Sequence, residues 1–317
     1  MTALRVGAVD CGTNSIRLLV SDVDDAGRLT DVHREMRIVR LGQGVDATGE
    51  FAPEAIARTR VALGAYTELM SSLGVQCVRM VATSAARDVT NREAFFAMTA
   101  ELLGSVVPGA VAEVITGTEE AGLSFAGAVG ELDSAAGPYV VVDLGGGSTE
   151  TVIGDADGVR ASFSADIGCV RLTERCLHSD PPTDDEIEAA RDAVRAQLAR
   201  TFEVVPVQDA RTWVGVAGTF TTLAALAHRL DAYDPAAIHL SRVPLERLAE
   251  VTSELIAMPR AQRAALGPMH EGRVDVIGGG SIVVQELARE FSARAGITEL
   301  VVSEHDILDG IAMSLRR

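Results

Sequence analysis

One short pattern occurs twice in the chain, once in each half. Residues 8–15 read AVDCGTNS and residues 141–148 read VVDLGGGS, so the two copies align without a gap. In each copy, apolar residues lead into an aspartate, a glycine-containing turn and a serine, and more apolar residues follow. An apolar run that enters and leaves a tight glycine turn is typical of a β-hairpin. The repeat therefore predicts two similar domains, each containing such a hairpin.

The residue types in the repeated turns favour a phosphorylated ligand. Glycine lets the backbone approach a ligand closely, and successive backbone N–H groups can then point at an anion. Serine adds a hydroxyl donor, and an aspartate at the end of a strand can hold a hydrated metal ion. Because further Gly-, Ser- and Thr-rich segments follow other predicted strands, a phosphate site is favoured over two ordinary turns.

Alternating helix and strand patterns predict the α/β class. A chain of 317 residues with 47% apolar residues is long enough for two domains with separate cores. The order of elements restarts with the second hairpin, so we expect the boundary between residues 122 and 137. The helices predicted from apolar spacing and end signals are 53–73, 90 or 91 to 103, 117 onward, 184–201, 245–256, 260–266, 275–295 and 305–315.

The charge of the chain excludes some classes of partner. The net charge is −17 and there is no lysine, so every fixed positive side chain is an arginine. General binding to nucleic acid or to an anionic membrane needs a basic surface, so neither partner is expected. An anion site in this chain must use arginine, backbone N–H groups and metal. Arg17 and Arg87 are candidates, since a guanidinium matches phosphate oxygens.

The cysteines and histidines do not form a recognisable site in the sequence. The four cysteines lack CxxC spacing and are expected to be small core residues in a reducing cytoplasm. The N-terminal residues do not resemble a signal peptide. The six histidines are scattered without metal-ligand spacing, so we interpret them as structural or surface residues.

Two pairs of acidic residues are candidates for chemistry. Glu119 and Glu120 open a predicted helix, where acidic residues also favour the helix dipole whatever the function; one of them could activate a water. Asp143 and Glu150 lie on opposite arms of the second hairpin and could share a metal ion. The counterpart of Glu150 in the first hairpin is Arg17, so the two halves differ in charge at the same place.

Five segments together resemble one protein family. They are residues 10–18 (DCGTNSIRL), 82–88 (ATSAARD), 115–121 (ITGTEEA), 142–150 (VDLGGGSTE) and 167–174 (IGCVRLTE). The two hairpins resemble the acetate kinase, actin and heat-shock chaperone ATPase superfold. Within it, the segments resemble the exopolyphosphatase/guanosine pentaphosphate phosphohydrolase family over nearly the whole chain. Longer members carry an extra helical His-Asp domain, so this chain resembles the short two-domain form.

The resemblance implies an α/β fold of two ribonuclease-H-like (actin-like) domains with an interdomain cleft that holds the active site. The expected domains are residues 1–124, completed by a C-terminal helix at 304–317, and residues 125–303. Glu120 matches the family's catalytic base, although Glu119 stays open because adjacent helical residues point about 100° apart. Asp143 and Glu150 match essential acidic residues, and together with Asp10 they are expected to hold Mg²⁺ or Mn²⁺.

The expected phosphate-binding residues come from both lines of reasoning. The resemblance implies Asn14, Ser15, Arg87, Gly145, Gly146, Gly147 and Ser148, and the residue patterns add Arg17, Gly218 and Thr219.

The reaction expected from the resemblance is hydrolysis of the terminal phosphoanhydride of inorganic polyphosphate, and the net charge favours short chains. Hydrolysis of guanosine pentaphosphate to the tetraphosphate is the nearest alternative. A phosphoryl transferase of the same superfold and a non-catalytic sensor of alarmones or polyphosphate are alternatives of other classes. A homodimer in the cytoplasm is expected, since family members often dimerise.

Overall fold

The computed structural model describes residues 3–24, 28–87 and 89–315, apart from the side chains of Ser84 and Ala85. Asp88 of the second family segment, and residues 1–2 and 316–317 at the ends of the expected domains, lie outside the described residues.

Strands and helices alternate through the described chain. The strands are β1 (Leu4–Cys11), β2 (Ser15–Val23), β3 (Leu29–Ile38), β4 (Cys77–Ala82), β5 (Ala112–Val114), β6 (Tyr139–Leu144), β7 (Thr149–Asp155), β8 (Gly158–Ala165), β9 (Thr212–Val216), β10 (Ser241–Pro244) and β11 (Glu299–Val302). The α-helices are α1 (Val45–Thr48), α2 (Pro53–Ser72), α3 (Ser84–Arg87), α4 (Arg92–Gly104), α5 (Gly117–Val129), α6 (Cys169–Cys176), α7 (Asp184–Val204), α8 (Ala217–Ala227), α9 (Pro235–Ile238), α10 (Leu245–Ala257), α11 (Arg260–Arg263), α12 (Ile277–Ala295) and α13 (Ile307–Ser314).

The chain forms two compact units. Unit 1 is Met1–Gly127 with Ile307–Arg317, and unit 2 is Ala128–Asp306. The sheet of unit 1 has the order β3-β2-β1-β4-β5, with β1, β2 and β3 antiparallel and β1, β4 and β5 parallel. The sheet of unit 2 has the order β10-β11-β9-β6-β7-β8 and repeats the same arrangement from β8 to β11. The predicted α/β class is confirmed, and both sheets are mixed.

Apolar side chains cover the faces of each sheet. In unit 1, α2 and α4 pack on one face, around Tyr66 and Phe95, and α13 packs on the other through Leu308 and Ile311. Helix α13 also packs closely against α5 at Gly310. A Cβ at Gly310 would lie 2.1 Å from the Leu123 carbonyl oxygen of α5, so the contact requires glycine. The core of unit 2 is centred on Trp213 of β9, whose ring meets Phe220 and Phe291 edge to face.

Local signals explain several helix ends. Pro53 is at the first position of α2, where its missing N–H costs nothing. Thr183 and Glu186 form a reciprocal capping box at the start of α7. Gly296 ends α12 in the left-handed conformation at φ 67°.

Some elements of the structure differ from the sequence-based prediction. The helix predicted over 260–266 ends at Arg263, and α6 and β10 were not predicted. Helix α6 is short and has no side-chain cap, and β10 is a four-residue edge strand ending at Pro244. Asn91 precedes α4 as expected but does not cap it; its amide bonds the backbone N–H and C=O of Phe51 instead.

No helix in the described part of the chain combines the length and the apolar character needed to cross a bilayer.

Candidate active site

The two repeated turns close in the same way. Loop 1 (residues 12–14) joins β1 to β2, and loop 2 (residues 145–148) joins β6 to β7. The Gly12 N–H donates to the Ser15 carbonyl at 3.0 Å, and the Gly145 N–H donates to the Ser148 carbonyl at 3.1 Å. The hairpins inferred from the repeat are therefore present, with matching turn geometry.

Each loop is held from one side by residues that follow the third strand of its unit in chain order, which is β3 in unit 1 and β8 in unit 2. The Asn14 carbonyl accepts the N–H groups of Val39 and Arg40, and the Gly146 carbonyl accepts those of Val170 and Arg171. Across a trans peptide, the C=O and the next N–H point in opposite directions. The N–H groups of Ser15 and Gly147 therefore point away from the supporting segments, as an anion-binding loop requires.

Gly168, in the family segment at 167–174, packs closely against loop 2. A Cβ at Gly168 would lie 2.4 Å from the Gly146 carbonyl carbon and 2.6 Å from the Gly147 nitrogen. Its φ of −148° is open to any residue, so the requirement for glycine here is space rather than conformation. Sequence patterns alone did not single out Gly168, because its contact is with residues far along the chain.

The second hairpin brings two buried carboxylates together. Asp143 on β6 pairs directly with Glu150 on β7, and their exposed fractions are 7% and 1%. Residues paired this way place their Cβ atoms about 5 Å apart on one face of the sheet. The Ser164 hydroxyl on β8 donates to Glu150 Oε1 at 2.7 Å. Two carboxylates on one rigid face form the hard oxygen donor set that Mg²⁺ or Mn²⁺ prefers, so these residues fit the expected metal.

The first hairpin has a different pair at the same position. Asp10 pairs directly with Arg17 across β1 and β2, and Arg17 Nη2 lies 2.8 Å from Asp10 Oδ2. Asp10 is buried, while the Arg17 side chain is 19% exposed. A guanidinium therefore compensates the aspartate in unit 1, in the place where unit 2 has a second carboxylate.

The structure separates the two adjacent glutamates of α5. Glu120 is buried, and its Oε2 accepts a hydrogen bond from Arg87 Nη1 at 2.8 Å. The Glu119 side chain is 45% exposed and pairs with Arg79 at 2.7 Å. Loop 1, Arg87 and Glu120 follow β1, β4 and β5, which are adjacent parallel strands. These residues therefore lie at one edge of the sheet, where ligands bind in α/β folds.

The start of α8 lies at the corresponding edge of unit 2. Gly218 and Thr219 follow β9, the parallel neighbour of β6. Thr219 is buried, and a Cβ at Gly218 would lie 2.4 Å from the guanidinium carbon of Arg273. Arg273 also donates to the Thr222 hydroxyl at 2.8 Å. Arg273 was not predicted as a site residue, because it comes from a 3₁₀ turn, Glu271–Arg273, with no motif of its own.

Two histidines that are distant in sequence meet near Glu131. His239 Nε2 and His305 Nδ1 lie 3.3 Å and 3.1 Å from the two Glu131 oxygens. The Glu304 N–H donates to His239 Nδ1, so the neutral ring carries its proton on Nε2. That nitrogen then donates to Glu131 and does not offer a lone pair to a metal. The structural or surface role expected for the histidines stays a prediction.

The buried cysteines are poor nucleophiles. All four cysteines are free thiols. Burial raises the pKa of the Cys169 thiol to about 11, and burial also raises the pKa of the Cys11 thiol. Both therefore stay protonated at neutral pH and serve as core residues, as the sequence led us to expect.

Two sheets of the same strand order, each with a glycine hairpin beside its parallel strands, define an α/β protein of the actin-like class. A profile of the Ppx/GppA phosphatase family matches residues 19–315. The chain belongs to the Ppx/GppA phosphatase family, as its five segments suggested.

Individual relatives are similar over the whole chain. Exopolyphosphatase 2 of Mycobacterium tuberculosis is 68% identical, covering 99% of both chains. The crystal structure of an exopolyphosphatase-like protein is 41% identical with a TM-score of 0.92, covering 99% of this chain and 98% of the other. The crystal structure of the Aquifex aeolicus Ppx/GppA family member is 31% identical with a TM-score of 0.79, covering 98% of this chain and 97% of the other.

Proposed function

We propose that this protein is an exopolyphosphatase that removes the terminal phosphate of inorganic polyphosphate. The observation that carries the proposal is the pair of matched phosphate-type loops whose hairpins carry opposite charge at one equivalent position, Arg17 in one and Glu150 in the other. The name of the 68% identical relative, exopolyphosphatase 2, supports the same substrate. The candidate base, Glu120, lies in unit 1, and the candidate metal ligands, Asp143 and Glu150, lie in unit 2.

Glu120 is the proposed general base. It takes a proton from the attacking water, the oxygen of that water bonds to the terminal phosphorus, and the P–O bond to the rest of the polymer breaks. Orthophosphate and a polymer one unit shorter leave. The Arg87 hydrogen bond fixes the Glu120 carboxylate. The Arg87 guanidinium also binds phosphate oxygens at the same sheet edge. Asn14 and Ser15 of the first hairpin, with Arg17, bind phosphate beside it.

Asp143 and Glu150 are the proposed ligands of Mg²⁺ or Mn²⁺. Bound there, the metal would neutralise charge that develops on phosphoryl oxygens. The N–H groups of Gly146, Gly147 and Ser148 bind phosphate next to the pair, and Gly218 and Thr219 extend the contacts along the sheet edge. Gly145 shapes the loop, since its N–H is already donated to the Ser148 carbonyl at 3.1 Å. Asp10 is a weaker candidate ligand, since Arg17 already pairs with it at 2.8 Å.

The charge of the chain bears on polymer length. A net charge of −17 repels a long polyanion, so binding depends on local arginine, backbone N–H groups and the metal. We therefore expect a preference for short polyphosphates. A homodimer in the cytoplasm remains part of the proposal, and the four free cysteines fit a reducing compartment.

Phosphate release from polyphosphates of graded length and from guanosine pentaphosphate, with Mg²⁺ or Mn²⁺, tests the function. Glu120→Ala should lose most of the activity, by about 100-fold or more. Glu119→Ala is the matched control, because this neighbour is exposed and held by Arg79. Sedimentation of the same preparation measures the oligomeric state.

Each result has a defined meaning. Release from short polyphosphates that depends on Glu120 and on metal supports the proposal. Faster release from guanosine pentaphosphate would assign the chain to that substrate instead. Transfer of phosphate to ADP without net hydrolysis would indicate a kinase, and binding without any turnover would indicate a sensor.

A further inference from the structure

Equivalent rows of four side chains cross the two sheets at the aspartate of the repeated hairpin. Each row takes one residue from each of four neighbouring strands, paired directly in register, so its side chains share one face of the sheet. In unit 1 the row is Val81, Asp10, Arg17 and Met36. In unit 2 the row is Val216, Asp143, Glu150 and Ser164.

Both rows begin with a valine and an aspartate, but they differ in their last two residues. In unit 1 an arginine faces the aspartate, and the next strand supplies the apolar Met36. In unit 2 a glutamate faces the aspartate, and the next strand supplies a hydroxyl group. The arginine–methionine combination and the glutamate–serine combination thus occupy the same two positions. Unit 1 therefore shows which residue occupies the Ser164 position when the facing residue is an arginine and not a glutamate.

Ser164 acts directly on Glu150. Its hydroxyl donates to Oε1 at 2.7 Å, while the Glu150 residue is 1% exposed. A hydrogen bond to one oxygen of a carboxylate fixes the torsion of the group and the direction of the other oxygen. Partners of this kind, outside the ligands themselves, commonly set metal affinity by holding a ligand in orientation.

We propose that Ser164 is a positioning residue that holds the Glu150 carboxylate in the orientation needed to bind a divalent metal with Asp143. The inference rests on the function proposed above, since it assumes that this carboxylate pair is the metal site. Ser164 itself touches neither metal nor substrate.

Binding of Mn²⁺ to the full-length protein without substrate is the direct test, measured by the electron paramagnetic resonance of free Mn²⁺. Ser164→Ala should weaken Mn²⁺ binding by about tenfold or more. Ser164→Thr keeps the hydroxyl and should restore binding to near the original affinity. Ser162→Ala is the matched control, because Ser162 lies on the same strand and face and pairs with Val152.

The kinetics should show the same separation. In Ser164→Ala, the Mn²⁺ concentration for half-maximal phosphate release should rise by about the same factor as the binding constant. The kcat at saturating Mn²⁺ should stay near that of the original protein. A general loss of structure would instead lower kcat at every metal concentration and lower the melting temperature.

Failure of the inference can be told apart from failure of the proposed function. If Glu150→Gln weakens Mn²⁺ binding but Ser164→Ala does not, the metal site stands and the role of Ser164 is wrong. If Ser164→Thr binds as weakly as Ser164→Ala while both are folded, the hydroxyl is not the cause. If Glu150→Gln leaves Mn²⁺ binding unchanged, the carboxylate pair is not the metal site.

Discussion

Asp143 and Glu150 face each other directly across two antiparallel strands, with both side chains almost fully buried. Like charges placed directly opposite in a sheet are destabilising. The equivalent position of the first hairpin avoids this cost, because Arg17 faces Asp10 there. The second hairpin therefore has two carboxylates where the first hairpin has an ion pair.

Removing one carboxylate of this pair should lower the activity without unfolding the protein. In Glu150→Gln we expect phosphate release to fall by about 100-fold, as for the loss of one preorganised electrostatic group. The melting temperature should stay near that of the original protein, since Gln has almost the size of Glu and can still accept the Ser164 hydrogen bond. Glu203→Gln, at an exposed position in the same unit, is the control and should change neither. A Glu150→Gln protein with full activity and a lower melting temperature would contradict the assignment.

Alanine at Gly168 should disturb loop 2. Its Cβ would lie 2.4 Å from the Gly146 carbonyl, so the loop must shift to accommodate it. Because small misplacements of substrate-binding groups cost up to about 100-fold in rate, phosphate release should fall on that scale. Gly64→Ala in α2 has open space around its Cβ and should keep full activity. Equal activity in the two variants would show that loop 2 is not held by this contact.

Alanine at Gly310 should destabilise unit 1. The new Cβ would lie 2.1 Å from the Leu123 carbonyl oxygen, which would force α13 away from α5. We expect a loss of about 1–3 kcal/mol in the free energy of unfolding, measured with urea. Gly122→Ala is a matched control on α5, since nothing lies within 4 Å of its Cβ. It should stabilise the protein by up to about 1 kcal/mol through helix propensity, so the two variants should shift in opposite directions.

The contribution of the α7 capping box to stability should be lost at acid pH. The Thr183 backbone N–H, followed by donors from residues 178 and 179, lowers the pKa of the Glu186 carboxyl below its ordinary value. A lowered folded-state pKa contributes stability above the unfolded value of about 4.3, and this contribution is lost as pH falls through the folded value. The melting temperature of Glu186→Ala should therefore lie below that of the original protein at pH 6.

That difference in melting temperature should shrink as the pH falls from 6 to 3. Glu186→Gln keeps a side-chain acceptor for the cap but does not titrate at this position. Compared with it, the original protein should lose stability faster on acidification. A constant difference between the original protein and Glu186→Ala over this range would show that the charge does not contribute.

Local sequence determined a large part of the fold. The Asp10 and Asp143 hairpins, the proline start of α2 and the capping box of α7 were all predictable, because turns and helix ends depend on neighbouring residues. The α/β class followed from the alternation of helix and strand patterns, and the family followed from five sequence segments in their order. The roles of the site residues remain predictions, since sequence shows which residues could act and not what they contact.

Contacts between distant residues were decided only by the tertiary structure. Periodicity could not choose between Glu119 and Glu120; burial beside Arg87 separates them, since β4 and β5 bring residues 87 and 120 together. The space that requires Gly168, and the hydroxyl of Ser164 on Glu150, likewise arise from strand pairing and loop packing. Sequence fixes backbone preferences over a few residues, whereas side-chain environments depend on which strands become neighbours. The repeated hairpin could be predicted from the sequence. The side chains that contact the aspartates of its two copies were decided by strand pairing in the two sheets.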